Sequence, residues 1–289
     1  MASLLGGSDM SSRPRPKVDP TIANVARMYD YYLGGKDNGP ADREAAERVI
    51  QTFPQTRQLA RVNREFLQNA VEFLAGDAGI RQFFDIGSGL PTGRNVHQVA
   101  QGIAPDARVV YVDKDPLALV HARALLARNE HTVAVEGDLR RPVDILAREE
   151  VRHMIDLSEP MAILLIAVLH FVRDDEGPYE IVKSLLDAAA PGSYLVISHA
   201  ERDKRLNDVT RVYDAATFPV VLRSHEEIGR FFSGLEMVDP HDATVPSSDA
   251  DDPESAASGV VRLGTWRAQW PMFHTDEPLP AFCGLGRKR

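Results

Sequence analysis

Cysteine is almost absent: Cys283 stands alone among 289 residues. A single thiol excludes an internal disulfide framework and cannot by itself form a Cys-rich metal site, so no metal centre is expected. It suits a reducing cytoplasm. Long apolar runs are missing as well. No stretch of about 18 residues reads as a membrane span, and the leading "MASLLGGSDMSSRPRPK" lacks the apolar core of about 7 to 15 residues that a signal peptide needs. Its Ser, Pro and Arg content reads as a disordered leader over residues 1–17. Basic charge is in deficit, 33 Lys and Arg against 42 Asp and Glu, for a formal net charge of −9. With no global basic field, neither nucleic acid nor a membrane is expected as a partner. Enough apolar material remains, 44% of residues, to bury the core of one large decorated domain.

The first 80 residues read as helical. "DPTIANVARMYDYYLGG" offers Asp19 as N-cap, Pro20 in the first turn and Gly34–Gly35 as a stop, with apolar residues at helical spacing. A second helix is expected from about Pro40 to Thr52 and a third from about Thr56 to Ala75, closed by Pro54 and Gly76 respectively. The rhythm then changes to short apolar runs alternating with helical patterns: "RQFFDI", "RVVYVD", "HTVAVEGD", "MAILLIAVLHF" and "SYLVISHA". Such alternation predicts an α/β, doubly wound, mostly parallel sheet covered on both faces. "RSHEEIGRFFSG" carries a capping box from Ser224 to Glu227, and "LEMVDP" and "PAFCGLGRKR" read as two final strands. The acidic stretch at 243–258 has little to bury and reads as a mobile loop.

The organisation expected is therefore a leader (1–17), an N-terminal helical cap (18–80) and a Rossmann-like domain (81–289). Its critical stretch is "FFDIGSGLPTGRNV", from Phe83. In an open α/β sheet, ligands bind beyond the carboxyl ends of strands, where the strand order reverses. Gly87 and Gly89 let the main chain approach a ligand closely, and the helix that follows, expected from about Thr92 to Gln101, presents free N–H groups and a positive dipole end. Asp85, Asp113 and Asp138 fall at the ends of three successive expected strands. A nucleoside with a cationic amino-acid tail would give each of them a role. Asp113 accepts from the ribose hydroxyls, Asp138 from the adenine amino group, and Asp85 binds the ammonium. Capping of helices and turns by the same acids is the competing explanation. A nicotinamide dinucleotide is disfavoured, because its Gly-x-Gly-x-x-Gly fingerprint would place glycine where Thr92 stands. A carboxylate next to the turn also repels a diphosphate. The Gly-Lys-Ser/Thr phosphate loop is absent.

These residues resemble class I S-adenosylmethionine-dependent methyltransferases. "DIGSGLP" is similar to their first motif, with Pro91 in place of a third glycine, "YVDKDP" to the ribose-binding strand end and "EGDL" to the adenine contact. The resemblance narrows to a bacterial S-adenosyl methyltransferase family long known as a domain of unknown function. It rests on "ARMYDYYLGGKDN", "FFDIGSGLPT", "VVYVDKDP", "LRSHEEIGRFFSGLEMVDP" and "GLGRKR". It implies a seven-stranded sheet with an antiparallel last strand and S-adenosylmethionine as cofactor, leaving S-adenosylhomocysteine. On these motifs the residues implied at the cofactor are Asp85, Gly87, Ser88, Gly89, Asp113, Lys114, Gly137, Asp138 and Leu139.

Methyl transfer from a sulfonium requires mainly positioning, desolvation and, for some acceptors, removal of a proton. "YDYYLGGKDN" has the character of a lid. Tyr29 and Tyr32 fall on the buried stripe of their helix, so Tyr31 and Lys36 are the residues expected at the cofactor, with the glycine pair as hinge. His170, after the fourth strand, is the candidate general base. Arg140 and the terminal "GRKR" read as solvated surface, and Cys283 as core. The segment around His170 lacks the Asp/Asn-Pro-Pro-aromatic motif of nucleobase amino methylation, which together with the acidic balance favours a small-molecule acceptor, with a protein as the alternative. The rival functions are a non-catalytic module sensing S-adenosylmethionine or S-adenosylhomocysteine and, behind it, a nicotinamide-dependent oxidoreductase.

Overall fold

Asn24 opens the first helix. In the computed structural model its side-chain oxygen accepts from the N–H groups of Ala26 and Arg27, capping α1 (Val25–Tyr32). Asp19, the expected cap, instead closes a local turn with Thr21. The reason is tertiary: the Asn24 N–H donates to Asp42 Oδ1 at 2.8 Å, which fixes where the chain enters the helix. The structure describes residues 19, 21–125, 129–214, 219–238, 259–264, 266 and 278–289. The expected leader, Pro20 and the acidic stretch at 243–258 lie outside them.

After α1 come α2 (Pro40–Thr52) and α3 (Thr56–Ala75), with the bounds that the Pro and Gly punctuation predicts. The alternating part follows as β1 (Gln82–Ile86), α4 (Val96–Ile103), β2 (Arg108–Asp113), α5 (Pro116–Leu125), β3 (Thr132–Glu136), α6 (Pro142–Leu146), α7 (Glu149–Met154), β4 (Ala162–Ile166), α8 (Pro178–Ala188) and β5 (Tyr194–Ala200). The chain closes with α9 (Asn207–Asp214), α10 (His225–Gly229), β6 (Glu236–Met237), β7 (Val261–Arg262) and β8 (Ala281–Arg287). Ser224 and Glu227 form the expected capping box of α10.

The sheet runs β3-β2-β1-β4-β5-β8-β6, with β1 to β5 parallel and β8 antiparallel to β5. Seven positions take eight strands among the described residues, because β6 and β7 share one edge of β8: Glu236 pairs Arg287, and Val261 pairs Cys283. β7 escapes a sequence reading since two residues carry no period. Side chains alternate across the sheet: Phe83, Val109, Leu164 and Val196 pack under α3 and α4, while Phe84, Val110, Ile163 and Leu195 face α6 to α8. No helix among the described residues is long and apolar enough to cross a membrane.

The N-terminal helices divide their work. α3 packs along the sheet, whereas α1, α2, the first turns of α3, and α9 build a separate apolar cluster around Met28, Tyr32, Val49, Phe53, Leu206 and Val209. Beneath it, Arg27 and Asp42 form a buried ion pair at 2.7 Å.

Candidate functional site

β1 has β2 on one side and β4 on the other, so the strand order reverses at β1 and opens a crevice above its carboxyl end. The backbone there is shaped by contact. Gly87 and Gly89 have positive φ angles of 77° and 65°. A Cβ on Gly87 would fall 2.4 Å from Val168 Cγ2, in the segment after β4. The Gly87 N–H donates to Val112 O at 2.7 Å, and the Gly89 N–H to Asp113 Oδ2 at 2.7 Å. Asp113 Oδ1 also accepts from the Asp115 N–H at 2.8 Å. One buried carboxylate thus ties two strand-end loops together, using part of the turn chemistry that competes with ligand binding.

Above these loops lies one cavity of about 600 Å³, within the range of about 300 to 1,000 Å³ typical of small-molecule sites. It brings together Asp85, Gly87, Ser88, Gly89, Asp113, Lys114, Gly137, Asp138, Leu139 and His170. It does not include Tyr31 or Lys36. The Tyr31 hydroxyl donates to Glu47 under the Arg57 guanidinium, and Lys36 is exposed. Tyr29 and Tyr32 line the cavity instead. The helix stripe that buries these two also faces the ligand space, so burial and function coincide there. The turn that carries the glycine pair is held by buried Asn38, which donates to Asp30 Oδ2 and Gly35 O, and by Arg43, which donates to Asn38.

Asp85 is 5% exposed and accepts no hydrogen bond among the described residues. Burial pushes its pKa up to about 7; the Arg64 guanidinium opposes this and the Asp113 carboxylate adds to it. Burial also raises Asp113, against the N–H groups that bind it. Asp138 differs. Its partial burial is the largest single influence and acts upward, but the hydrogen bonds and charge of Arg140 together outweigh it and hold the pKa below the ordinary range. Arg140 clasps this carboxylate with one side of its guanidinium and donates to Glu176 at 2.9 Å with the other. Arg140 is therefore on the cavity wall and not simply solvated surface. Burial also lowers the Lys114 pKa.

Sequence reading missed the groups that support this rim. Arg64, on α3, donates to Thr92 O at 2.7 Å and Asn95 Oδ1 at 3.0 Å, holding as a loop the segment whose sequence suggests the first turn of α4. Helix α4 accordingly starts later, at Val96, behind an Asn95–Gln98 capping box. Ala167 has φ 51°, the one non-glycine residue with positive φ among the described residues. Its N–H donates to Ser198 Oγ at 3.0 Å; Ser198 donates to Asn63 Oδ1, Asn63 Nδ2 to the Tyr29 hydroxyl at 2.9 Å, and Tyr29 to Ala60 O at 3.1 Å. This chain joins β4, β5, α3 and α1 across the cavity wall. No local pattern announces it, because its members are far apart in sequence.

His170 lies on a 3₁₀ turn after β4, its ring edge-on to His199 at 5.5 Å between centroids. Burial, helped by the Arg223 charge, pushes its pKa down to about 3, and its buried Nδ1 has no partner among the described residues. Arg223, 1% exposed, donates to Leu169 O, Val172 O, Asp174 and His199 Nε2. A guanidinium can only donate, so His199 Nε2 is an acceptor; the neutral ring carries its proton on Nδ1, facing Ala200 O at 2.7 Å. Arg223 thereby staples the His170 turn to the end of β5.

A doubly wound sheet with an antiparallel last strand, a glycine turn at the reversal point and an acid-lined cavity above it define a Rossmann-like methyltransferase fold. The chain belongs to the S-adenosyl methyltransferase family, which it matches over residues 11–289. It is similar to a crystallised protein from Thermobifida fusca, with 40% identity, TM-score 0.84, and 96% of this chain and 98% of that one covered. It is also similar to a protein of the DUF574 family from Streptomyces avermitilis, with 38% identity, TM-score 0.83, and 93% and 98% covered. No curated protein matches.

The cofactor of this family is S-adenosylmethionine, and the cavity fits it. A buried carboxylate without a hydrogen-bond partner among the described residues, Asp85, lies on the wall of a space large enough for a nucleoside. That is the environment an ammonium group stabilises.

Proposed function

We propose that the protein transfers a methyl group from S-adenosylmethionine to a small molecule held between the helical cap and the ends of β4 and β5. The observation that carries this reading is the continuity of the cavity: it extends from the Gly87–Gly89 turn and the three carboxylates, past His170, into the apolar cluster under α1, α2 and α9. An apolar compartment lined by side chains of several helices suits a small molecule better than a polypeptide.

When bound, the cofactor supplies a methyl carbon activated by a positively charged sulfur. The residues of the chain do the rest. Asp85 holds the ammonium of the amino-acid tail, Asp113 accepts from ribose hydroxyls, and Gly87, Ser88 and Gly89 bring the main chain close. Gly137, Asp138, Leu139 and Lys114 bound the adenine end, with Arg140 keeping Asp138 ionised. Tyr29, in place of Tyr31, presents an aromatic face toward the sulfonium region. His170 receives the hydrogen bond of the acceptor and then its proton. Its low pKa keeps the ring neutral throughout the physiological range and makes it a weak base, so it takes the proton only as the methyl bond forms and the acceptor oxygen becomes strongly acidic.

Calorimetric titration of the ligand-stripped protein with S-adenosylmethionine and S-adenosylhomocysteine tests the cofactor half. Micromolar binding of both is expected, and silence from both overturns it. Transfer to small acceptors, followed by mass spectrometry, separates an enzyme from a sensor module. His170→Ala should lower kcat at least tenfold with cofactor affinity unchanged; equal kcat removes His170 from the chemistry.

A further inference from the structure

The far end of the cavity has a composition that narrows the acceptor, given the methyl-transfer reading above. Its wall is Val49, Phe53, Leu206, Val209, Leu222 and the rings of Tyr32 and Tyr213. No carboxylate, ammonium or guanidinium belongs to this group. Charged lining residues cluster at the ends of β1 to β3, at Arg64, and at Asp19 and Arg27 on the approach to α1; the Arg27 guanidinium is committed to Asp42 and Ile22 O. A ligand ion here would have to leave water without a counter-charge, which is strongly unfavourable.

One polar feature remains. The hydroxyls of Tyr32 and Tyr213 are 3.0 Å apart and bond to each other, and neither has another partner among the described residues. Two hydroxyls carry two protons, and their mutual bond uses one. The second O–H has no protein acceptor among the described residues and is free to donate into the cavity that both residues line, to a ligand oxygen or ring nitrogen. At the opposite end, the Phe171 ring is 6.2 Å from that of Tyr213, so the compartment reaches the turn that carries His170.

We propose that the methyl acceptor is an uncharged, hydroxylated aromatic molecule: its ring fills the apolar compartment, its reacting hydroxyl meets His170, and a second heteroatom accepts the spare O–H of the Tyr32–Tyr213 pair. The acceptor oxygen forms its bond to the methyl carbon as the sulfur–carbon bond breaks. The bonding pair stays on sulfur as a neutral thioether, and the hydroxyl proton passes to His170 and then to water. An aliphatic amine is unsuited, being a cation in a compartment whose described lining side chains carry no carboxylate.

The test is calorimetry on protein saturated with S-adenosylhomocysteine. The neutral probes are a naphthol, a hydroxyquinoline and a hydroxyindole, together with 6-methoxy-2-naphthol, which adds a second oxygen. The controls are 6-hydroxy-2-naphthoate and 6-(aminomethyl)-2-naphthol. At least one neutral scaffold should bind, and the methoxynaphthol tenfold or more tighter than either charged control. The double variant Tyr32→Phe/Tyr213→Phe should retain S-adenosylhomocysteine binding, lose about tenfold in affinity for the methoxynaphthol and bind 2-naphthol unchanged. Equal or tighter binding of a charged control overturns the assignment. So does silence from every neutral probe, or an unaltered methoxynaphthol affinity in the double variant. Failure of S-adenosylhomocysteine to bind wild-type protein would instead strike the cofactor reading on which this rests.

Discussion

Asp85 sits where a folded chain gains nothing from a carboxylate. With its pKa pushed up to about 7, the ligand-free protein is half protonated there at neutral pH. Affinity for S-adenosylmethionine should fall about tenfold from pH 8 to pH 6, since binding the ammonium requires the carboxylate. Asp85→Asn should bind more weakly and show a flat profile; a wild-type affinity constant over this range would contradict the assignment. The stability effect runs the other way. A carboxyl whose folded pKa is raised binds more protons folded than unfolded between about pH 4 and 7, so stability falls as pH rises through that window. Ligand-free Asp85→Asn should therefore melt above wild type at pH 8, with the gap closing toward pH 4. His170, with a pKa of about 3, should add no acid limb to kcat above pH 5; a limb near 6.5 would show that the ring is not buried during turnover. At Gly87 the argument is steric. Gly87→Ala puts a methyl into Val168 at positive φ, and should lower cofactor affinity and cost about 1–3 kcal/mol of stability.

Among the elements, α1 and α2 form the wall of the acceptor compartment, and Asp42 holds them together. It accepts from the N–H groups of Asn24 and Gly39 and from the Arg27 side chain. Asp42→Ala leaves a buried guanidinium unpaired, a loss of about 3–5 kcal/mol in comparable cases. Thermal denaturation should show this drop. Calorimetry on the folded fraction should find acceptor binding weakened more than cofactor binding, because β2 and Arg64 hold the glycine turn and α1 reaches the cofactor through Tyr29 alone; an equal loss of both would show that α1 governs the two sites alike. The element bounds were legible wherever Pro, Gly or a capping box punctuates the chain, as at α2, α3 and α10. They were not legible at α1 and α4, where Asp42 and Arg64, distant in sequence, choose the starting residue.

Across the whole molecule, the hydrogen-bonded chain from Ala167 through Ser198 and Asn63 to Tyr29 connects the strand ends to the cap. Saturation with S-adenosylhomocysteine should therefore slow hydrogen exchange in α1 as well as in the 87–89 turn. Protection confined to the turn would mean that the cap moves independently of the cofactor. At a ligand concentration of about 100 times Kd the stabilisation should be about 2.7 kcal/mol, visible as a single thermal transition shifted by several degrees.

Sequence alone determined the doubly wound sheet, the position of the glycine turn and the three strand-end carboxylates, because each follows from a period or spacing that survives without contacts. It also placed Gly87, Gly89 and His170 in segments that the fold brings to one cavity. Tertiary structure decided which tyrosines face that cavity, that Arg140 clasps Asp138, that Asp85 lacks a partner among the described residues, and that Arg64 and Arg223 hold the loops in place. Apart from the clasp of Asp138 by Arg140, only two positions on, those outcomes depend on residues tens of positions or more apart meeting in three dimensions, and on how far each charge is withdrawn from water. Neither leaves a local trace in the chain.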